Sequence, residues 1–205
     1  MIHIVDDEEA LRDSLQWLLR SRDLRSRTWA SGEAFLAHVR SPAAGTDAPG
    51  CVLLDVRMNA MSGMELFERL VAGSLCPAWP VIFLTGHGDV PMAVEALKLG
   101  AFDFVEKPFN DNSLVDRLAA ALAQSQRIVE ARLLDHTRDE RLAALTARER
   151  EVLDLIVEGH YNKVIADRLG VAMRTVEVYR SRIFDKMGVR SAVELAGIMA
   201  AAPKK

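Results

Sequence analysis

The stretch VLLDVRMN, residues 52–59, runs three apolar residues straight into a carboxylate at Asp55, after which the chain turns polar. A short uninterrupted apolar run reads as a strand buried on both faces, the kind found inside parallel sheets. A carboxylate at the end of such a strand is costly to bury unless its charge is compensated. The surrounding sequence must therefore supply the compensation.

Similar apolar runs lie at residues 2–5, 24–29, 81–84 and 102–105, and amphipathic helical patterns lie at 9–21, 32–40, 63–71, 90–99 and 112–123. Five such units imply a doubly wound α/β domain, a five-stranded parallel sheet with helices on both faces. Sheets of this kind carry their functional groups at the carboxyl ends of the strands. Asp6 and Asp7 follow the first strand, Asp55 ends the third, Thr85 the fourth and Lys107 the fifth. Parallel, adjacent strands bring all five to one rim. Clustered carboxylates repel one another unless a cation neutralises them, and a small set of oxygen ligands favours Mg²⁺. The Lys107 ammonium can pair with the same anion, and the Thr85 hydroxyl can donate to a phosphoryl oxygen. Each acid taken singly is more often a solvated turn or a helix cap. Their coincidence at the strand ends carries the functional reading, together with Lys107-Pro108, an X-Pro bond that can adopt the cis form and aim the lysine inward.

Half of the 205 residues are hydrophobic and 27% are charged, a globular composition long enough for one large or two small domains. Cys51 and Cys76 stand in apolar surroundings without CxxC spacing, which argues against a disulfide framework or a zinc site and for a reduced cytoplasm. The start MIHIVDDEE lacks a basic, apolar leader, and no stretch approaches the ~18 uncharged apolar residues of a membrane span. Membrane partners are not expected. The net charge of -3 is uneven: residues 1–140 carry 14 Lys and Arg against 21 Asp and Glu, whereas residues 141–205 carry 12 against 8. The basic end has the sign that binding to phosphates requires.

Residues 124–141, charged and free of Gly and Pro, read as a helical connector that continues the fifth helix. Beyond it, Thr146 and Glu149 form a capping box ahead of an apolar-periodic helix. Further helices are expected at 162–169, from about residue 174 to 187, and at 192–199, with Gly159, Gly170 and Gly188 at helix ends. The domains are accordingly 1–123, a linker at 124–141, and a small all-α domain at 142–205. A helix, a Gly-containing turn and a longer helix bearing Arg174, Arg180, Arg182 and Lys186 form a helix-turn-helix pattern.

VDDE at 5–8, LLDVRM at 53–58 and TGHGDVPMAVEALKLGAFDFVEKPF at 85–109 resemble the receiver domains of two-component response regulators. The resemblance implies a sheet of strand order 2-1-3-4-5 with Asp55 as phosphoacceptor. Asp6, Asp7, Asp55 and the backbone carbonyl of Arg57 would hold Mg²⁺, with Thr85 and Lys107 at the phosphoryl group and Phe104 as the aromatic switch. Residues 141–200 resemble the LuxR-type DNA-binding domain of the NarL/FixJ response regulators. That likeness implies that Arg174, Thr175, Arg182, Lys186 and Lys163 anchor phosphates, while Glu177, Val178 and Ser181 face base edges. Three departures stand out. Asn59 replaces a usual proline, Ala172 replaces a capping Ser or Thr, and Tyr179 replaces a common His.

The implied function is a phosphorylation-controlled transcription factor. Its partners would be a sensor histidine kinase, double-stranded promoter DNA, a second copy of the chain docked through residues 90–107 upon phosphorylation, and RNA polymerase. It would not be an enzyme, beyond slow loss of its own phosphoryl group. Phosphorylation could act by this dimerisation or by releasing DNA-binding helices that the unphosphorylated receiver holds, and two alternatives of another class are weighed: a Mg²⁺-dependent phosphatase with an aspartyl nucleophile, and a DNA-binding protein independent of phosphorylation. The first commonly needs an acid two residues after the nucleophile, where Arg57 stands.

Overall fold

A computed structural model describes residues 1–41, 44–86 and 90–200. Residues 87–89 of the TGHGDV stretch, and 201–205 of the expected second domain, lie outside the described residues. The elements are β1 (Ile2–Val5), α1 (Glu9–Arg20), β2 (Ser26–Trp29), α2 (Gly32–Val39), β3 (Cys51–Asp55), α3 (Gly63–Ala72) and β4 (Val81–Thr85). They continue with α4 (Val90–Lys98), β5 (Asp103–Glu106), α5 (Asp111–Ala143), α6 (Ala147–Val157), α7 (Asn162–Leu169), α8 (Met173–Met187) and α9 (Ala192–Ala200). The chain divides into two compact units, Met1–Glu130 and Ala131–Lys205.

In the first unit five parallel strands form one sheet in the order β2-β1-β3-β4-β5. Every residue of β3 and β4 is buried, as their unbroken apolar runs require of central strands covered on both sides. Strand alternation sorts the core into two layers. Ile2, Ile4, Cys51, Leu53, Ile82, Leu84 and Val105 face α1 and α5, packing with Leu15, Leu19, Leu114 and Leu118. Val5, Val52, Leu54, Val81 and Phe83 face α2, α3 and α4, packing with Phe35, Leu66, Phe67 and Ala96. The second strand starts two residues later than its apolar run, because the Leu24 N–H bonds to Leu19 O and closes the end of α1.

The fifth helix runs without a break from Asp111 to Ala143. The first compact unit therefore reaches past residue 123, to Glu130. Ser125, fully buried on α5, accepts a hydrogen bond from Gly50 N at 3.0 Å, and Ile128 and Val129 pack against the core. A backbone N–H buried without water needs such an acceptor.

The second unit is all-α. Thr146 and Glu149 form the reciprocal capping box at the start of α6. Gly170 and Gly188 end α7 and α8 at φ 64° and 67°, a left-handed backbone that side chains disfavour. Leu153, Ile156, Ile165, Val176, Ile183 and Met187 form the core, with Leu169 and Tyr179 partly buried against it. Tyr179 is thus a packing residue. The α8 cap, Ala172, makes no side-chain cap bond.

Candidate functional site

Three strand ends meet at the carboxyl rim because of register. Val5 pairs with Leu54 and Asp55 pairs with Leu84, so Asp6 comes to lie beside Asp55. Asp6, Asp55 and Lys107 have the same alternation parity as Ile4, Leu53 and Val105, which places all three on the α1 and α5 side. From β5 the long Lys107 side chain spans β4. Its Nζ donates to Asp55 Oδ1 at 2.6 Å and to Asp6 Oδ2 at 3.1 Å. The Lys107–Pro108 peptide is cis.

Both carboxylates are buried, and each has a backbone donor: Arg57 N–H on Asp55 Oδ2 and Glu8 N–H on Asp6 Oδ1, both at 2.8 Å. Burial raises the Asp55 pKa above its ordinary value; the hydrogen bond and charge of Lys107 oppose the rise, and the charge of Asp6 adds to it. Burial pulls Lys107 down, but the Asp55 hydrogen bond and the two carboxylate charges outweigh it and hold the ammonium above its usual pKa. Lys107 therefore remains charged. This answers the cost of burying Asp55: a lysine already compensates it.

Asp7 stands apart from this pair. Its Oδ2 accepts from Asn59 N at 2.9 Å and from Asn59 Nδ2 at 2.6 Å. Among the described residues no three acidic, His or Cys side chains are grouped closely enough to hold a metal ion. The expected three-carboxylate cluster is held in two parts, Asp6 and Asp55 by Lys107 and Asp7 by Asn59. The residues nonetheless fit a hard cation. Two carboxylates facing one ammonium, with Asp7 next along the chain, leave negative charge in excess, and all the side-chain ligands are oxygens.

Thr85 is buried and faces the α2, α3 and α4 side. Phe83 pairs with Phe104 and Thr85 with Glu106, so Thr85 and Phe104 share one sheet face, with the Phe83 and Phe104 rings 6.1 Å apart. Phe104 is half-buried. Arg12, with no signal in the sequence, donates to the Asp6 carbonyl at 2.8 Å and fixes the first turn of α1 over the rim.

In the second unit α8 exposes Arg174, Glu177, Val178, Ser181 and Arg182, positions that recur on one helical face. Lys163 on α7 is exposed, and Thr175 is half-buried. Lys186, expected as a phosphate anchor, has partners inside its own domain. Its Nζ donates to the buried Glu149 Oε2 at 2.7 Å and to Ala144 O at 3.2 Å, so the C-terminal turn of α8 is tied to α6 and its cap. The carboxylate that satisfies the Thr146 cap needs a counter-charge, and Lys186 is within reach.

A rim with this charge pattern on a 2-1-3-4-5 sheet, followed by a helix-turn-helix unit, defines a receiver joined to a DNA-binding module. Residues 2–119 match the response regulator receiver domain family, and residues 143–199 match the bacterial regulatory proteins of the luxR family. The chain belongs to the response regulators that carry a LuxR-type DNA-binding domain. It is 55% identical over 196 residues to the C4-dicarboxylate transport transcriptional regulatory protein DctR of Rhodobacter capsulatus, covering 95% of this chain and 96% of that protein. It is 44% identical to the transcriptional regulatory protein FixJ of Azorhizobium caulinodans, over 95% and 89% of the two chains. Among solved structures, the response regulator StyR aligns at TM-score 0.87 and 38% identity, covering 98% of each chain.

Proposed function

We propose that Asp55 accepts a phosphoryl group from a sensor histidine kinase and that the added charge controls promoter binding by the second domain. The observation that carries this reading is the Asp6–Lys107–Asp55 bridge. It presents a buried carboxylate with a fixed cation beside it, which is what an anionic donor requires. An Asp55 oxygen attacks phosphorus in line, the bond from phosphorus to the donor's histidine nitrogen breaks, and that nitrogen keeps the electron pair. Lys107 neutralises charge on the phosphoryl oxygens. Asp6, Asp7, Asp55 and the Arg57 carbonyl would hold Mg²⁺, which supplies further charge neutralisation when bound. Receivers in general bind Mg²⁺ at this site.

The phosphoryl group draws the Thr85 hydroxyl towards it, and Phe104, on the same face, moves into the space released. The surface of α4 and β5 changes as a result, a packing switch driven by charge. Val94, Leu97 and Leu99 are exposed there, which supports pairing of two copies through residues 90–107. Two-fold copies would present two α8 helices to successive turns of the major groove. Arg174, Thr175, Arg182 and Lys163 would anchor phosphates, and Glu177, Val178 and Ser181 would face base edges. Contact with RNA polymerase and a cytoplasmic location complete the proposal. None of the helices among the described residues is long and apolar enough to cross a membrane. Target genes of the DctR kind are the first to test.

The chain does not turn over an external phosphoester in this reading, since Arg57 stands where a phosphatase of this chemistry would place its second acid. The deciding experiment is labelling with a small phosphodonor and Mg²⁺. Wild type takes up one phosphoryl group and Asp55→Asn none; labelling retained in that variant refutes the assignment.

A further inference from the structure

Asp7 and Asn59 are joined twice. The Asn59 backbone N–H and its side-chain amide both donate to the same oxygen, Asp7 Oδ2, at 2.9 and 2.6 Å. The loop between β3 and α3 that carries Asn59 is fixed in several places. Arg57 N–H holds Asp55, Gly63 N–H bonds to Val56 O at 2.9 Å, and Met61 is buried. Ala60 is held at φ 64°, and a Cβ on Gly63 would come within 2.1 Å of the Asp55 carbonyl oxygen. The amide is therefore presented to Asp7 by a braced loop.

Lys107 meanwhile bridges Asp6 and Asp55. The acidic rim is thus held as two separate groups, one on a lysine and one on an amide. The two N–H donors fill the acceptor sites of Asp7 Oδ2, draw charge from the whole carboxylate and fix its orientation, so a cation taking all three carboxylates must bind a weakened and held ligand at Asp7. We propose that Asn59 is a latch on Asp7, a positioning residue that lowers the affinity of the pocket for divalent cations and so sets the free-cation level at which the receiver loads. This rests on the cation site proposed above.

A purely structural bond and a latch differ in sign. Removing a structural bond destabilises the loop and leaves cation affinity unchanged or weaker. Removing a latch strengthens it. Asn59→Ala keeps the backbone donor and loses the amide, whereas Asn59→Pro loses both.

The test is titration of the full-length protein with Mn²⁺, bound and free ion being separated by electron paramagnetic resonance. Asn59→Ala should bind roughly three- to tenfold more tightly than wild type, the scale of one charge-assisted hydrogen bond at an exposed site, and Asn59→Pro more tightly again. Labelling by acetyl phosphate should then be faster in Asn59→Ala at low Mg²⁺ and equal to wild type at saturating Mg²⁺. Unchanged or weaker Mn²⁺ binding in Asn59→Ala overturns the latch. A wild-type chain that takes up no Mn²⁺ at millimolar concentration overturns the cation site itself. Should Asn59→Pro fail to fold, the alanine variant alone decides.

Discussion

Lys186 Nζ donates to Glu149 Oε2 at 2.7 Å, so a cation near the end of the helix expected to enter DNA is bound to the buried acid that caps another helix. This tie gives Lys186 a part in stability, and we predict that it outweighs any part in phosphate binding. Lys186→Ala should lower the thermal midpoint while the dependence of DNA binding on salt stays unchanged. Arg182→Ala should do the reverse, leaving stability intact and reducing the slope of log K against log salt by about 0.9. A reduced slope in Lys186→Ala would return Lys186 to the DNA interface.

The same pair predicts acid sensitivity. The Lys186 hydrogen bond, followed by the Thr146 backbone N–H, holds Glu149 down at about 2 against burial, which raises it. A depressed carboxylate pKa contributes stability that is full above the ordinary value of 4.5 and is lost as pH falls towards 2. The stability difference between wild type and Glu149→Gln should therefore shrink across that window, measured as unfolding midpoint against pH.

At the receiver rim, Asp55 attacks only when ionised. Burial raises its pKa above the ordinary 3.8 and Lys107 opposes the rise, so in the cation-free protein the carboxyl should titrate above 3.8, read by carbon-detected NMR. Lys107→Met removes the opposing charge. It should move that midpoint higher and lower the labelling rate at saturating Mg²⁺ by roughly 100-fold, the usual scale for losing one preorganised electrostatic partner. An unchanged rate with a small phosphodonor would show that Lys107 has no part in the transfer.

The sheet and the three-way meeting of Asp6, Asp55 and Lys107 were legible because central strands leave unbroken apolar runs and strand ends can be counted, while the strand order came from the resemblance to receiver domains. The grip of Asn59 on Asp7 was not, since the two lie 52 residues apart and an asparagine in a turn has many partners available to it. The tie between Lys186 and Glu149 was hidden for a related reason. A basic residue on a helix looks the same in sequence whether it faces solvent or a buried acid on a neighbouring helix. Glu149 was readable as a capping-box member, but its need for a counter-charge follows only from its burial.

His3 offers a check on the opposite edge of the core. Its ring stacks on Trp79 at a centroid distance of 4.4 Å, and its Nδ1 lies 3.2 Å from Trp29 Nε1. Indole nitrogen can only donate, so Nδ1 must accept and the proton resides on Nε2. Burial first, and then the charge of His38, lowers the pKa to about 3. The unfolded chain binds this proton more readily between pH 6.5 and 3, so folding stability falls as pH drops through that range. Nitrogen-detected NMR should show a neutral Nε2–H tautomer for His3 at pH 5. A protonated ring in the folded protein at that pH would contradict the packing.

Ser125 sets the last expectation, because it places part of the first unit's core beyond residue 123. Its hydroxyl is fully buried and is the acceptor for Gly50 N–H, and a Cβ on Gly50 would come within 2.8 Å of the Trp79 ring. The strand β3 is thus entered through a turn held by Trp79 on one side and α5 on the other. Ser125→Ala leaves a buried N–H without a partner, at a cost of about 1–3 kcal/mol. A receiver fragment ending at residue 123 loses Ser125 together with the packing of Ile128 and Val129, whereas one ending at residue 130 keeps all three. Urea unfolding should therefore give the longer fragment the higher midpoint, with Ser125→Ala in that fragment giving up part of the difference. Equal midpoints for the two fragments would place the edge of the receiver core before Ser125 and make α5 beyond that point a connector alone.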